Sequence, residues 1–444
     1  MKKIKLFSFM ALLFLLVGAM GSAQSGKIEF KEFDLDNGLH VILHQNNSTP
    51  TVAIYVMYHV GSKNEKSDRT GFAHFFEHLM FEGSDNIGRG QYFKYVQNAG
   101  GKNNASTSFD ITQYFEVLPS NQLELGLWLE SERMLHLKID SIGIETQRKV
   151  VKEERKQRLE NSPYGKLYPE VFANSYKVHP YQWMPIGEAQ FIDQAKYSEF
   201  MDFYKEFYVP KNAVLVVAGD IQPEAAKTLI SKYFSTIPKG NQEIYRPSVK
   251  EPQQTKENRV TTYDKVQLPA VVYAYHTPAM GTNDAYALDM LQKYLSGGES
   301  SVIYKSIVDK QQLAVYATAF PSTLEDNGLF VLLGITNVGK TAEELDKAID
   351  IEIEKAKSGE ISDHDFLKIK NQIENDFYSQ NSTMQGIANN LAEYYTYYKN
   401  TGLINTEIEK YQKITKEDIK RVANQYLKPD NRLVLYYLPE SLKK

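Results

Sequence analysis

The alternation of apolar and polar positions changes period repeatedly along the 444-residue chain, and each change marks an element. Behind Lys2, Lys3 and Lys5 runs an apolar stretch from Leu6 to Gly18. Leu35-Asp-Asn-Gly38 then reads as a turn of the hairpin type, followed by an alternating strand over Leu39 to Leu43. A second strand, β-branched and aromatic, spans Thr51 to His59. Beyond Gly61, the spacing of Phe72, Phe75, Phe76, Leu79 and Met80 predicts a helix with a wide buried face. Gly88-Arg-Gly-Gln opens another helix; it lacks a third glycine and follows no strand, which excludes a dinucleotide-binding turn. Ile111 to Leu118 is a strand stopped by Pro119, Gln122 to Leu137 has helical spacing, and so does Ile144 to Leu159.

The pattern repeats. Phe207-Tyr-Val-Pro-Lys-Asn-Ala-Val-Leu-Val-Val217 is echoed by Tyr426-Leu-Lys-Pro-Asp-Asn-Arg-Leu-Val-Leu-Tyr436, and the strand Ala53 to His59 by Val271 to Thr277. Both pairs are offset by nearly the same distance, so the chain contains two copies of one α+β module. The expected division is 24–236 for the first module, a polar Pro-containing linker at 237–255, and 256–444 for the second.

Composition narrows the setting. The basic start, the apolar run and Gly21-Ser22-Ala23 form a secretory signal over 1–23 with cleavage after Ala23, and no later stretch reaches the roughly 20 apolar residues of a membrane span. The expectation is an exported, periplasmic chain with no stable membrane insertion after cleavage. There is no cysteine, which excludes disulfides, thiolate metal ligands and a cysteine nucleophile. With 42% hydrophobic residues the chain can be held by its cores alone. A formal charge of −4 gives no general attraction to nucleic acid.

The helix after Gly61 carries His74-Phe75-Phe76-Glu77-His78. Histidines four apart lie on one helix face with Cβ atoms about 5–6 Å apart, close enough to share a metal ion. Glu77 reaches the same edge, where a carboxylate beside a metal-activated water serves as general base. The order His-x-x-Glu-His is the inverzincin arrangement. Two histidines need a further ligand, and from spacing alone Glu153, Glu154 and Glu160 are equal candidates. The second module has no such motif: the matching stretch is Leu288-Asp-Met-Leu-Gln-Lys-Tyr-Leu295, so one metal ion per chain is expected.

These residues, together with Leu35-Asp-Asn-Gly-Leu-His-Val41, Thr70 to Ser84, Gly100-Gly101, Asn104-Ala-Ser-Thr107, Val150-Val-Lys-Glu-Glu154, His179-Pro-Tyr181 and Pro210 to Asp220, resemble the pitrilysin family of zinc peptidases in its shorter two-module form. That family includes insulin-degrading enzyme and the mitochondrial processing peptidase. The resemblance implies two homologous α/β-roll modules, each a mixed or antiparallel sheet with helices on one face, forming half of a chamber. It implies Zn²⁺ held by His74, His78 and Glu154, with Glu77 as base, and Asn104 and Ala105 holding the backbone of an extended peptide by β-augmentation.

Two departures from the family pattern stand out. An acidic residue that often assists the site is replaced by Gln147, which can hydrogen-bond but adds no charge. In the second module, an arginine and a tyrosine that bind the substrate carbonyl fall on Val308 and Val315, with Tyr316 one place late. Neither valine has a donor, and losing an oxyanion donor costs about 10²–10³ in rate. The reading is therefore an exported zinc endopeptidase acting on unfolded peptides, the catalytic subunit of a pair whose second chain supplies the arginine and tyrosine. The alternative is a non-catalytic scaffold or peptide-binding subunit of the same fold.

Overall fold

The computed structural model describes residues 26–443, so the segment 1–23, read above as a secretory signal, lies outside the described residues. Among the described residues, eleven strands form two sheets. The first contains β1 (Lys31–Asp34), β2 (His40–Gln45), β3 (Thr51–Tyr58), β4 (Lys102–Thr107), β5 (Thr112–Pro119) and β6 (Ala213–Gly219), in the order β1-β2-β6-β3-β5-β4. The second contains β7 (Asn258–Asp264), β8 (Ala270–His276), β9 (Ala314–Ser322), β10 (Leu329–Thr336) and β11 (Arg432–Pro439), in the order β7-β11-β8-β10-β9.

The repeat read from the sequence is visible in this topology. Pair β2–β6 is parallel and the next three pairs of the first sheet are antiparallel; β7–β11 is parallel and the next three pairs of the second are antiparallel. The likeness extends to single atoms. Asn212 Nδ2 donates to the carbonyls of Phe207 (2.8 Å) and His59 (3.3 Å), and Asn431 Nδ2 donates to those of Tyr426 (2.9 Å) and His276 (2.9 Å). β1, which the periodicity reading did not include, pairs antiparallel with β2 across the Leu35–Gly38 turn, where Gly38 has φ +86°.

Four helices build the site and join the halves: α1 (Phe72–Leu79), α2 (Ser141–Arg155), α3 (Leu167–Ser175) and α4 (Met384–Tyr398). Each sheet packs its own module's helices on one face, as expected. The other face is covered by a helix from the opposite half. Ile387, Ala388, Leu391 and Ala392 of α4 lie on Ala53, Tyr55, Val214 and Val216 of the first sheet. Reciprocally, Leu167, Val171 and Phe172 of α3 lie on Val272, Val331, Leu433 and Leu435 of the second. With both faces covered, β6 is buried along its whole length, which is why its sequence is a continuous apolar run rather than an alternation. Among the described residues no helix is long and apolar enough to cross a membrane.

Candidate metal centre

α1 starts at Gly71, whose φ of +92° suits a residue without Cβ and whose side chain can offer no cap. The cap comes from Glu65 instead. Its buried carboxylate accepts from the backbone N–H of Gly71 (2.9 Å) and Ala73 (2.8 Å), satisfying donors that the helix itself leaves open. Phe72, Phe75 and Phe76 anchor the helix by stacking on Phe200 and Phe203. That fixes the rotation of α1 and turns His74, Glu77 and His78 away from the aromatic core.

α2, capped by Asp140 through Gly143 N (2.8 Å), runs beside α1 and ends in a wider turn over Lys156–Glu160. Of the three acidic candidates, only Glu154 meets the histidines. Its Oε2 lies 3.1 Å from His78 Nε2 and 3.6 Å from His74 Nε2, and one ligand atom from each of the three residues lies within 4.8 Å of the others. Glu153 is exposed and accepts from Gln157, and Glu160 pairs with Arg155. Ligands at tetrahedral angles about 2.0–2.1 Å from a zinc ion stand roughly 3.3–3.4 Å apart, so the separations of 3.1 and 3.6 Å bracket what that ion requires. The donor set also fits. Burial, reinforced by neighbouring His78, holds the His74 imidazole far below its usual range, which keeps its lone pair free for a metal. The His78 contact lowers the Glu154 carboxyl, so it is ionised. Glu154's other oxygen, Oε1, is held by Arg158 at 2.7 Å.

Glu77 points to the same side. Burial raises its carboxyl above the usual carboxylate range, while a hydrogen bond from Thr107 Oγ1 to Oε2 (2.5 Å) works against that rise and aims the group. Thr107 ends β4, the outermost strand of the first sheet, and Asn104 and Ala105 lie on that strand. Ala105 packs on the core and Asn104 is exposed. Gln147 Oε1 lies 3.2 Å from His78 Nδ1, and Gln147 Nε2 donates to Glu82 Oε1 at 2.5 Å. Val308 is half-buried in the turn Tyr304–Lys310. Val315 occupies a bulge where β9 and β10 slip register, and Tyr316 pairs with Ile335. Val315 and Tyr316 are each about half exposed, and neither valine carries a donor. Sequence reasoning missed Glu65, Glu82 and Arg158. Glu65 and Glu82 act through folding contacts that no spacing rule encodes, whereas Arg158 lies four residues after Glu154, the helical spacing at which two side chains meet, and could have been found from it.

A profile described as "Insulinase (Peptidase family M16)" matches residues 40–182, and one described as "Peptidase M16 inactive domain" matches residues 194–373. The chain is 34% identical to "Zinc protease PqqE" of Helicobacter pylori over 98% of both chains. It belongs to peptidase family M16. The M16 fold is shared with a crystal structure of a protease from Helicobacter pylori, at a TM-score of 0.89 and 33% identity, covering 93% of this chain and 100% of that one. It is shared also with the first half of the periplasmic protease PqqL from Escherichia coli, at a TM-score of 0.74 and 18% identity, covering 92% of each. The M16 profile that covers α1 is the insulinase one, and it also spans Glu154, so all the candidate ligands fall inside it.

Proposed function

We propose that this M16 chain is an exported zinc-dependent endopeptidase acting on unfolded peptides, with His74, His78 and Glu154 as the metal ligands and Glu77 as general base. The observation that carries the reading is the convergence of three ligand atoms from α1 and α2 with Glu77 alongside. When bound, a zinc ion there supplies a Lewis acid and lowers the pKa of water. The Glu77 carboxylate takes the proton of the attacking water and returns it to the leaving amine nitrogen. Its Oε2 is engaged by Thr107, which leaves Oε1 for the transfer. The outer edge of β4, with Asn104 and Ala105, offers main-chain groups to an extended peptide whatever its side chains.

In this reading the modules are 24–236 and 256–444, joined by 237–255, and the chain forms one half of a chamber. The absence of donors at Val308 and Val315 supports a second, related subunit that contributes an arginine and a tyrosine. Export rests on the signal pattern over 1–23.

Zinc content and peptide cleavage, measured on the chain alone and with a related partner, test the proposal. About one zinc per chain is expected. Glu77→Gln is expected to keep the metal and lose about 10²–10⁴ in kcat, the usual worth of a general base. Cleavage unchanged by that substitution would overturn the assigned role. The same absence of donors keeps a non-catalytic scaffold or peptide-binding subunit in view, and that alternative predicts no cleavage with any partner.

A further inference from the structure

Position 147, behind His78, is a glutamine and brings no negative charge of its own. The fold brings a carboxylate to that place from elsewhere. Glu82, three residues beyond the end of α1 and buried, accepts from Gln147 Nε2 through Oε1 (2.5 Å) and from Arg89 Nε through Oε2 (2.7 Å). Gln147 Oε1 in turn faces His78 Nδ1 at 3.2 Å. We propose that Glu82 is a positioning residue of the metal centre, acting on His78 through the Gln147 amide. This rests on the zinc reading above.

Polarity fixes the direction of the relay. A carboxylate paired with arginine only accepts, so the Gln147 NH₂ must face Glu82 and its carbonyl oxygen must face His78. An amide carbonyl also only accepts, so His78 Nδ1 must carry the hydrogen. In the neutral imidazole Nε2 is then the bare nitrogen that a metal ion would use, and it is the one directed at Glu154. The carboxylate polarises the amide and makes its oxygen a stronger acceptor, as hydrogen bonds in series do. The familiar carboxylate–histidine–metal arrangement is thus rebuilt with an amide inserted.

The chain of contacts also ties the two ligand-bearing helices together. Arg89 bridges Glu82 to Asp140 (2.8 Å), and Asp140 caps the start of α2. Glu82 follows α1, and Gln147 lies on α2 between the cap and Glu154. His74, by contrast, has a buried Nδ1 without a protein partner among the described residues, so packing alone sets its orientation.

The test is the zinc dissociation constant of the metal-free mature chain, read by chelator competition, with its thermal midpoint measured alongside. Glu82→Gln keeps the shape and removes the charge; it is expected to weaken zinc binding by about 10-fold, the lower end for an outer partner of a metal-bound histidine. The double variant Glu82→Gln/Gln147→Glu moves the carboxylate directly onto His78 and is expected to recover most of the lost affinity. A purely structural role predicts no recovery, because Arg89 has lost its Glu82 partner equally in both variants. Should Glu82→Gln fail to fold, Gln147→Ala cuts the relay from its other end with the same expected weakening. Zinc binding unchanged by either cut, or a double variant as weak as the single, overturns the inference while leaving the zinc site intact. A wild-type chain that takes up no zinc overturns the parent reading and this inference with it.

Discussion

Glu77 is useful as a base only if its carboxylate is both desolvated and aimed, and these two requirements come from different parts of the chain. Burial on α1 raises its proton affinity, and Thr107, thirty residues on and across the sheet edge, holds one oxygen. Thr107→Val removes that hydrogen bond at nearly constant volume. A hydrogen bond to a charged group is worth about 1.5–3 kcal/mol, so kcat is expected to fall by about tenfold or more, with zinc content unchanged. Steady-state kinetics with metal analysis checks this; an unaltered kcat would show that Thr107 does not aim the base. Glu77 and the two histidines were legible in the sequence because one helical turn brings i, i+3 and i+4 together wherever the helix lies. Glu154 was not legible from spacing alone. Its neighbour Glu153 is chemically identical, and only the rotation of α2 against α1 decides which of them meets the histidines.

The beginning of α1 shows why element boundaries are harder to read than elements. Its apolar spacing announced the helix, but its cap, Glu65, lies six residues before Gly71 across a loop, where no capping pattern looks. Gly71→Ala would place a Cβ 3.1 Å from the Ile186 carbonyl oxygen and 3.2 Å from Gly187 Cα, in a backbone conformation that costs an L-residue about 1–2 kcal/mol. The expected outcome is a lowered thermal midpoint together with weakened zinc binding, since both histidines ride on this helix; an unchanged midpoint would contradict the strain argument. The strand β6 carried a second signal. Its run of apolar residues at both parities meant that both faces were covered, although nothing in the run says by what. At β9, the bulge at Val315 alters the parity on which a sequence-based assignment of faces relies.

At the scale of the whole molecule the two modules are interleaved rather than tethered. α3 and α4 cross over, and a buried charge cluster pins the halves where they meet. Lys63, 4% exposed, contacts Asp110 (2.9 Å) from its own half and Glu325 (2.5 Å) and Asp326 (3.3 Å) from the other, while His59 contacts Glu325 (2.9 Å). Lys63→Met leaves these carboxylates without their cation, and breaking such a buried pair costs about 3–5 kcal/mol. The urea midpoint should fall accordingly, and a shift within experimental error would show that the cluster is not a pin. Burial alone would raise the Glu325 carboxyl, but the contacts with His59 and Lys63 outweigh it and bring it to about 2. A carboxyl lowered on folding contributes stability that is fully present above its unfolded pKa, near 4.5, and is lost as pH falls toward 2. Glu325→Gln should therefore flatten the fall in stability between those limits relative to wild type. Parallel curves for the two proteins would count against the assignment.

By itself the sequence determined the local and the repeated: the helix bearing His74, Glu77 and His78, the two copies of one module, the absence of cysteine, and the family to which these belong. Those depend on contacts a few residues long or on self-similarity, which a linear string preserves. Spacing left open which glutamate joins the histidines, and only the family resemblance pointed to Glu154; tertiary structure alone decided which carboxylate stands behind Gln147 and which helix covers which sheet. Each of these joins residues tens to hundreds of positions apart, and their meeting is set by the packing of whole elements, which no local spacing records.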